Sequence, residues 1–393
     1  MEQTDYQKEL ERCVRCGACK AQCPTYLEGL DECLSARGRL AMLSAFEAGR
    51  LRQSRGLMEK LFSCLLCGAC QKRCSPNVPI QDILYHSRQK FSSQYQRNHL
   101  LAGLTKLALS YTDTAAACFR GLQHIAELSP VEIDSFLTLP PVAKVPFLKR
   151  DRATASEKTK KVAVFTGCTV NYLYPHLGES LVHVLSCLGY QAVVLYDEVC
   201  CGAPLRSLGL EQEAQTYMEH NMGLLRSLDC DVLVTLCPTC TWTLKSVAGF
   251  DKKSVSILDI NEFLVHESME LAFAIPQKAV YHDPCHLKNK LNVFKEPRAI
   301  LSTIQGLELL EAEQEGCCGF GGIFRIEFPE LSMKIGQKRF AVLMDSGAHT
   351  IITSCLGCIM QFEDITKRNL MPIRIKHIIE LVDETLKMRQ KAQ

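Results

Sequence analysis

Eight cysteines in two similarly spaced runs constrain this chain more than any other feature of its sequence. The first run, "CVRCGACKAQC", begins at Cys13, and the second, "CLLCGACQKRC", begins at Cys64. Both have the spacing C-x2-C-x2-C-x3-C, and a proline follows each, at Pro24 and at Pro76. Because this spacing lets several sulfurs face one centre, each run predicts a metal site.

Composition supports metal binding over disulfide bonding. The chain has 393 residues and 22 cysteines, and its N-terminus lacks the apolar stretch of a signal peptide, which predicts a cytoplasmic protein, peripheral to the membrane through its partners. Thiols stay reduced in that compartment. A near balance of 45 basic and 43 acidic residues offers no basic surface for nucleic acid. The apolar stretch 100–119 is interrupted by Lys106 and Asp113, which predicts an amphipathic helix and no transmembrane segment.

The two runs have the spacing of bacterial ferredoxins, in which three close cysteines bind one [4Fe-4S] cubane and the fourth binds the other. This pattern predicts two crosswise sites. The first four-thiol site takes Cys13, Cys16, Cys19 and Cys74. The second four-thiol site takes Cys23, Cys64, Cys67 and Cys70. A pair of four-cysteine zinc sites is the alternative.

The segments around the runs have helical periodicity. Apolar residues recur at helical spacing between the runs, at Leu40, Leu43 and Phe46 and again at Met58, Leu61 and Phe62. We therefore predict an α-helical, ferredoxin-like domain over residues 1–137 that binds both cubanes. Three prolines and a dense run of charges then predict a linker over 138–160.

Beyond the linker the chain repeats itself with a period of about 117 residues. Each copy opens with a strand that ends in a cysteine, "KVAVFTGC" and "KAVYHDPC", and reaches a Cys-Cys-Gly sequence 32 residues later. Each then has a second strand followed by a C-x2-C pair. Alternating strands and helices predict a duplicated α/β domain with cysteines at the carboxyl ends of parallel strands. The first repeat is expected over 161–277 and the second over 278–393.

Five thiols should meet in each repeat. The first five-thiol site comprises Cys168, Cys200, Cys201, Cys237 and Cys240. The second five-thiol site comprises Cys285, Cys317, Cys318, Cys355 and Cys358. Five is one more than a tetrahedral zinc or a cubane requires, whereas a larger cluster in which one sulfur bridges two irons would use all five. Zinc on four of the cysteines, with a spare thiol, is the alternative.

The two N-terminal runs followed by two such CCG domains resemble the iron-sulfur subunit of glycolate oxidase and its D-lactate-oxidising relatives. The architecture is also similar to the catalytic subunit of membrane-linked heterodisulfide reductases and to the third subunit of anaerobic glycerol-3-phosphate dehydrogenase. This resemblance covers nearly the whole chain. It implies two [4Fe-4S] cubanes, and one or two noncubane [4Fe-4S] clusters on the five-thiol sites. Glycolate oxidase subunits often have a degenerate first repeat, whereas "CPTC" is intact here.

The sequence contains neither a G-x-G-x-x-G motif after a strand nor a Walker loop, so we expect no flavin or NAD on this chain. The resemblance then predicts an electron-transfer subunit of a flavin-dependent glycolate or D-lactate (2-hydroxyacid) dehydrogenase complex. An FAD-containing partner would oxidise the substrate, and an acceptor such as a membrane quinone or cytochrome would receive the electrons. A heterodisulfide reductase-like subunit that reduces a disulfide at a CCG cluster is one alternative. A zinc-built scaffold without a redox role is another.

Two histidines distinguish the second repeat from the first. His282 and His286 flank Cys285, with Asp283 placed to orient either, and "FTGCTVN" stands at the corresponding place in the first repeat. They are candidates for hydrogen bonds to a cluster or for proton transfer. Packing at the strand end is the alternative. Four cysteines outside all motifs are expected to be buried thiols: Cys33, Cys118, Cys187 and Cys230.

Overall fold

The computed structural model describes residues 3–128, 140–150, 160–246, 255–267, 271 and 277–392. Within residues 3–128 the chain is helical and the structure describes no strand. The helices of this region are α1 (Gln3–Glu11), α2 (Pro24–Gly29), α3 (Ala36–Glu47), α4 (Arg55–Phe62), α5 (Ala69–Lys72), α6 (Ile80–Phe91), α7 (Gln96–Ser110) and α8 (Thr112–Leu128). Short 3-10 turns lie at Ala18–Lys20 and Glu32–Leu34. The prediction of a helical N-terminal region is confirmed, and its predicted end at residue 137 lies outside the described residues.

Side-chain caps and an apolar core fix the helices between the cysteine runs. The hydroxyl of Ser35 accepts a hydrogen bond from the Gly38 amide at the start of α3, and that of Ser54 accepts one from Leu57 at the start of α4. Leu43 and Leu61, which belong to the predicted helical pattern, are fully buried in the core that these helices share with α1 and α6. This core holds the two cysteine runs side by side.

The two halves of the remaining chain have the same order of elements. The first repeat comprises β1 (Lys160–Phe165), α9 (Gly167–Tyr172), α10 (Pro175–Cys187), β2 (Tyr190–Val194), α11 (Ala203–Ser207), α12 (Glu211–Arg226), β3 (Val232–Thr235), α13 (Pro238–Lys245), β4 (Ser256–Asp259) and α14 (Ile260–His266). The second comprises β5 (Gln277–His282), α15 (Cys285–Asn289), α16 (Glu296–Ser302), β6 (Leu307–Leu310), α17 (Ile323–Glu327), α18 (Pro329–Met344), β7 (Thr350–Thr353), α19 (Leu356–Arg368), β8 (Arg374–His377) and α20 (Ile378–Ala392).

Each repeat forms its own four-stranded parallel sheet. The strand orders are β2-β1-β3-β4 and β6-β5-β7-β8, so the two sheets have the same topology. In register, Ala163 of β1 pairs with Leu233 of β3, and Ala279 of β5 pairs with Thr350 of β7. The central strands β1 and β5 therefore deliver Cys168 and Cys285 beside the cysteines that follow β3 and β7. The predicted duplication into two parallel α/β units is confirmed.

One apolar core joins the two repeats. Helix α10 of the first repeat packs against α20 of the second, and this core includes Leu181 and Leu185 from α10 with Leu381 and Val382 from α20. Residues 140–150 of the predicted linker lie against the first repeat, where the fully buried ring of Phe147 contacts Gly178. Among the described residues, no helix is both long enough and apolar enough to cross a bilayer.

Candidate metal centres

The cysteines of the first four-thiol site line one small cavity. Cys13, Cys16, Cys19 and Cys74 surround it together with Leu40, Pro76 and Ile80. Cys74 reaches this cavity from the second run, because the turn before α6 folds back onto the first run. The amide of Val78 donates a hydrogen bond to the Cys74 sulfur at 3.4 Å, which orients that thiol.

The second four-thiol site has the reciprocal arrangement. A neighbouring cavity is lined by Cys23, Cys64, Cys67 and Cys70 with Thr25, Leu84 and Gln81. The Gln81 side-chain amide donates to the Leu66 carbonyl at 2.6 Å and thereby fixes the loop between Cys64 and Cys67. Burial raises the pKa of Cys70, and Cys19 of the first site lies near enough to contribute to that rise. The two cavities are therefore neighbours.

The two cysteine runs have the same unusual backbone. Arg15 and Leu66, each two residues after the first cysteine of its run, have φ of 56° and 53°. Gly17 and Gly68, two positions further on, have φ of 87° and 79°. Left-handed residues at these places turn the chain tightly around each cavity, and glycine adopts that conformation without a steric penalty.

Two buried arginines, which the sequence patterns did not single out, border the second four-thiol site. The Arg39 guanidinium donates to the carbonyls of Lys60 and Ser63 at 2.7 and 2.9 Å, and Arg88 donates to the Cys64 carbonyl at 2.6 Å. Arg39 and Arg88 are 1% and 3% exposed. Burial raises the pKa of Cys70, and the Arg39 charge opposes that rise. Fixed cations of this kind offset the negative charge of bound thiolates.

The first five-thiol site is assembled at the carboxyl ends of β1 and β3. Cys200 contacts both Cys168 and Cys201, and Cys240 contacts both Cys201 and Cys237, so the five thiols form one continuous cluster. Cys200, Cys201 and Cys240 are buried. Hydrogen bonds from Cys200 and Cys240 hold the pKa of Cys201 well below its usual value.

The second five-thiol site repeats this geometry. The sulfurs of Cys317 and Cys285 are 4.0 Å apart, and those of Cys358 and Cys318 are 3.1 Å apart. Cys355 contacts Cys358. Hydrogen bonds from Cys317 and Cys358 lower the pKa of Cys318 to about 6. Cys318 occupies the position of Cys201 in the first repeat, so in each repeat the second cysteine of the adjacent pair has the lowered pKa.

The glycine of each Cys-Cys-Gly sequence is required by the fold. Gly202 and Gly319 have φ of 86° and 81°. A Cβ at Gly202 would lie 2.9 Å from the Ala214 carbonyl oxygen, and one at Gly319 would lie 2.6 Å from the Ser332 carbonyl oxygen. Only glycine permits both the left-handed turn and the close approach of α12 to Gly202 and of α18 to Gly319.

Each five-thiol site has a glutamate two positions before the adjacent pair, but the two glutamates lie in different environments. Glu198 is buried in the first repeat, where its carboxylate accepts hydrogen bonds from the Thr166 and Gly167 amides at 3.0 and 2.7 Å. Burial raises the pKa of Glu198 to about 8. In the second repeat Asp283 and Pro284 occupy the positions of Thr166 and Gly167. Proline has no N–H, so it cannot donate the hydrogen bond that Gly167 donates. Glu315 accordingly pairs with Lys288 at 2.7 Å on a more exposed surface.

A cavity of about 410 Å³ lies directly over the second five-thiol site. Cys67, Cys285 and Cys317 contribute to its wall, and charged side chains form much of the remainder. Ion pairs between Lys288 and Glu315 and between Arg298 and Asp283 hold these charges in place. The cavity therefore joins the second four-thiol site to the second five-thiol site.

The two candidate histidines occupy different environments. His282 is fully buried, and one of its ring nitrogens lies within 4.8 Å of the sulfurs of Cys318 and Cys358. Arg339 Nε donates to His282 Nδ1 at 3.2 Å, and burial holds the pKa of His282 well below its usual value. A neutral ring that accepts at Nδ1 carries its hydrogen on Nε2. His282 thus has the protonation state of a hydrogen-bond donor.

His286 instead connects the two repeats. Its Nδ1 lies 2.7 Å from the Thr239 hydroxyl, between Cys237 and Cys240 of the first five-thiol site. Its ring is 6.4 Å from that of Trp242. Asp283, predicted to orient one of the histidines, accepts two hydrogen bonds from Arg298 at 2.9 Å.

The thiols outside the motifs are less buried than predicted. Cys33 and Cys230 are partly buried, whereas Cys118 and Cys187 are exposed. The prediction that all four are buried was wrong, because the apolar character of a thiol does not determine whether another part of the fold covers it.

The donor sets fit iron-sulfur ligation. Each four-thiol cavity offers the four sulfurs that a cubane requires. The left-handed turns and the buried guanidinium groups beside these cavities suit an anionic centre. Each five-thiol cluster offers more sulfurs than one zinc ion binds.

Comparison with known families agrees with this geometry. Residues 9–78 match the model of the 4Fe-4S dicluster domain, and residues 162–245 and 279–363 each match that of the cysteine-rich domain. The chain joins a 4Fe-4S dicluster domain to two cysteine-rich domains. The dicluster domain holds both four-thiol sites, and each cysteine-rich domain holds one five-thiol site.

Several proteins similar to this chain are subunits of redox enzymes. The chain is 28% identical over 386 residues to a subunit of the fumarate reductase (CoM/CoB) of Methanothermobacter marburgensis, covering 96% of this chain and 73% of the relative. It is 26% identical to the probable glycolate oxidase iron-sulfur subunit of Bacillus subtilis, covering 96% and 94%. It is 25% identical to a subunit of the dihydromethanophenazine:CoB–CoM heterodisulfide reductase of Methanosarcina barkeri, also covering 96% and 94%. The predicted resemblance to the glycolate oxidase and heterodisulfide reductase subunits is confirmed.

Proposed function

We propose that this chain is the iron-sulfur electron-transfer subunit of a flavin-dependent 2-hydroxyacid dehydrogenase complex of the glycolate or D-lactate type. The observation that carries the proposal is that three of the thiol sites adjoin one another in series. The first four-thiol site adjoins the second through Cys19 and Cys70, and the second adjoins a five-thiol site through Cys67 and Cys285. Such a series suits one-electron transfer between a flavin partner and a downstream acceptor.

We further propose the ligands of each centre. The two four-thiol sites would each hold a [4Fe-4S] cubane, and the two five-thiol sites would each hold a noncubane [4Fe-4S] cluster. Clusters bound there would accept and release single electrons. The chain itself supplies buried thiols, fixed arginine charges and, at the second five-thiol site, the N–H of His282. An FAD-containing subunit and a quinone or cytochrome acceptor complete the proposed complex.

The test begins with the tagged chain purified anaerobically from its own cells together with its partners. If the proposal holds, a flavoprotein accompanies the chain, and glycolate or D-lactate bleaches the cluster absorbance of the complex. The chain stripped of its partner should show no flavin and no bleaching with the same substrates. Bleaching by the stripped chain would contradict the assignment of substrate oxidation to a partner.

A second function is favoured by one observation, the 410 Å³ cavity over Cys285 and Cys317. A cavity that opens onto a five-thiol site could admit a disulfide substrate, as required of a heterodisulfide reductase-like subunit. The isolated chain, supplied with a reduced viologen dye, would then reduce a low-molecular-weight disulfide with turnover of about 1 per second or faster. That result would replace the electron-carrier proposal, because a pure carrier leaves the disulfide intact.

A further inference from the structure

Cys187, outside every metal-binding motif, lies in a line with a histidine and a carboxylate. Its sulfur is 3.6 Å from His183 Nε2, and His183 Nδ1 is 2.6 Å from Asp383 Oδ1. Cys187 and His183 are four residues apart on α10, so they share one face of that helix. Asp383 comes from α20 of the second repeat. This order of thiol, imidazole and carboxylate is the arrangement that activates a sulfur nucleophile.

The carboxylate is held firmly in its orienting position. Asp383 is 3% exposed, and its Oδ2 accepts hydrogen bonds from Ser180 and Lys387, both at 2.7 Å. An ionised carboxylate only accepts hydrogen bonds, so the hydrogen between Asp383 and His183 resides on Nδ1. Nε2 of His183 is then left as an acceptor for the Cys187 proton.

The thiol itself is accessible. Cys187 is the last residue of α10 and is exposed, while Leu181 and Leu185 of the same helix are in the core. Gln390 Nε2 donates to the Cys187 sulfur at 3.4 Å. The exposed thiol therefore has a hydrogen-bond donor, Gln390, and a proton acceptor, His183, as its neighbours.

We propose that Cys187, His183 and Asp383 form a reactive-thiol site that exchanges with low-molecular-weight disulfides. The Cys187 thiolate attacks one sulfur of the disulfide, a bond forms between the Cys187 sulfur and that atom, and the disulfide bond of the reagent breaks. The departing thiolate takes the proton held on His183 Nε2. Cys187 is oxidised to a mixed disulfide while the leaving sulfur is reduced, so no further oxidant is needed.

The chain provides an internal control for this chemistry. Cys118 on α8 is also exposed and lies outside all motifs. The cluster-loaded protein would be treated anaerobically with glutathione disulfide, quenched with N-ethylmaleimide, digested and analysed by mass spectrometry. We expect the mixed disulfide to form at Cys187 faster than at Cys118 by on the order of tenfold or more. If Cys187 and Cys118 of the unaltered protein form the mixed disulfide at equal rates, the proposal is wrong.

Variants separate the roles of the two other residues. His183→Gln should bring the Cys187 rate close to that of Cys118, whereas the matched variant His176→Gln, on the same helix, should leave it unchanged. Asp383 is a positioning residue, and Asp383→Asn should lower the Cys187 rate with no change at Cys118 or in cluster absorbance. A Cys187 rate that persists in His183→Gln would show that the histidine does not activate the thiol.

Discussion

The side-chain amide of Asn289 donates a hydrogen bond to the main-chain carbonyl of Cys67 at 3.0 Å. Asn289 ends α15, which begins at Cys285, so this bond fixes the second four-thiol site against the second five-thiol site. Lys72 reinforces the junction by donating to the Lys288 carbonyl at 2.8 Å. Electron transfer requires short, fixed distances between centres. These two contacts hold the second four-thiol site and the second five-thiol site at a fixed separation.

Lys290 is expected to tune the reduction potential at this junction. Lys290 is partly buried, but its Nζ is buried, lies 3.5 Å from the centre of the Trp242 ring and has no hydrogen-bond partner among the described residues. The side chain interacts with Cys67 and Cys285. Burial lowers the pKa of Lys290 to about 7. Below about pH 7 the ammonium is charged and favours electron uptake, so in that range Lys290→Met should lower the potential of the adjacent centre, by an amount on the order of tens of millivolts.

Potentiometric titration followed by electron paramagnetic resonance measures this shift. Lys295→Met, which removes an exposed lysine from the same segment, is the matched control and should leave the potential unchanged. An unaltered potential in Lys290→Met would mean that the ammonium does not act on either centre.

Crosswise ligation predicts which signal each cysteine variant disturbs. Cys23→Ser should perturb the centre built on Cys64, Cys67 and Cys70, because Cys23 lines that cavity. Cys74→Ser should perturb the centre built on the first run. Spectra of the two variants, compared after anaerobic purification, would reveal complementary losses. The reverse assignment would refute crosswise binding.

Metal content tests the proposed cluster types. Two cubanes and two noncubane clusters require about sixteen iron atoms per chain, with a similar amount of acid-labile sulfide. Mass spectrometry under native conditions and elemental analysis both measure this. About eight iron atoms with stoichiometric zinc would instead assign the five-thiol sites to zinc.

The features that could be predicted from the sequence are those that a spacing or a repeat in the sequence determines. Cysteine spacing identified the residues that line the two four-thiol cavities, and the 117-residue period identified two units of equal topology. Arg39 and Arg88 could not be singled out, since their role depends on tertiary contacts with distant carbonyls. Glu198 could have been found by comparing the repeats, because Glu315 occupies the same position before the second Cys-Cys pair. The junction through Asn289 has no counterpart in any local pattern.

His377 should make the fold sensitive to mild acid. It is fully buried between the two repeats, where Nε2 donates to the Leu236 carbonyl at 3.2 Å and Nδ1 accepts from the Ile379 amide at 3.3 Å. Burial lowers the pKa of His377 to about 4 from its ordinary 6.5. The folded state therefore favours the neutral ring, and protonation of His377 costs no stability well above pH 6.5.

As the pH falls below 6.5, His377 becomes protonated in the unfolded chain but stays neutral in the folded chain. The free energy of unfolding therefore decreases progressively until about pH 4. This loss amounts to roughly 1 kcal/mol by pH 5.5 and about 3 kcal/mol at its limit. Urea unfolding of the anaerobic protein at pH 7.5 and 5.5, followed by circular dichroism, measures the difference. His377→Gln should reduce the pH-dependent loss by about the stated 1 kcal/mol, whereas His349→Gln, at an exposed position in the same domain, should retain it. An identical loss in both variants would assign the acid sensitivity to other groups.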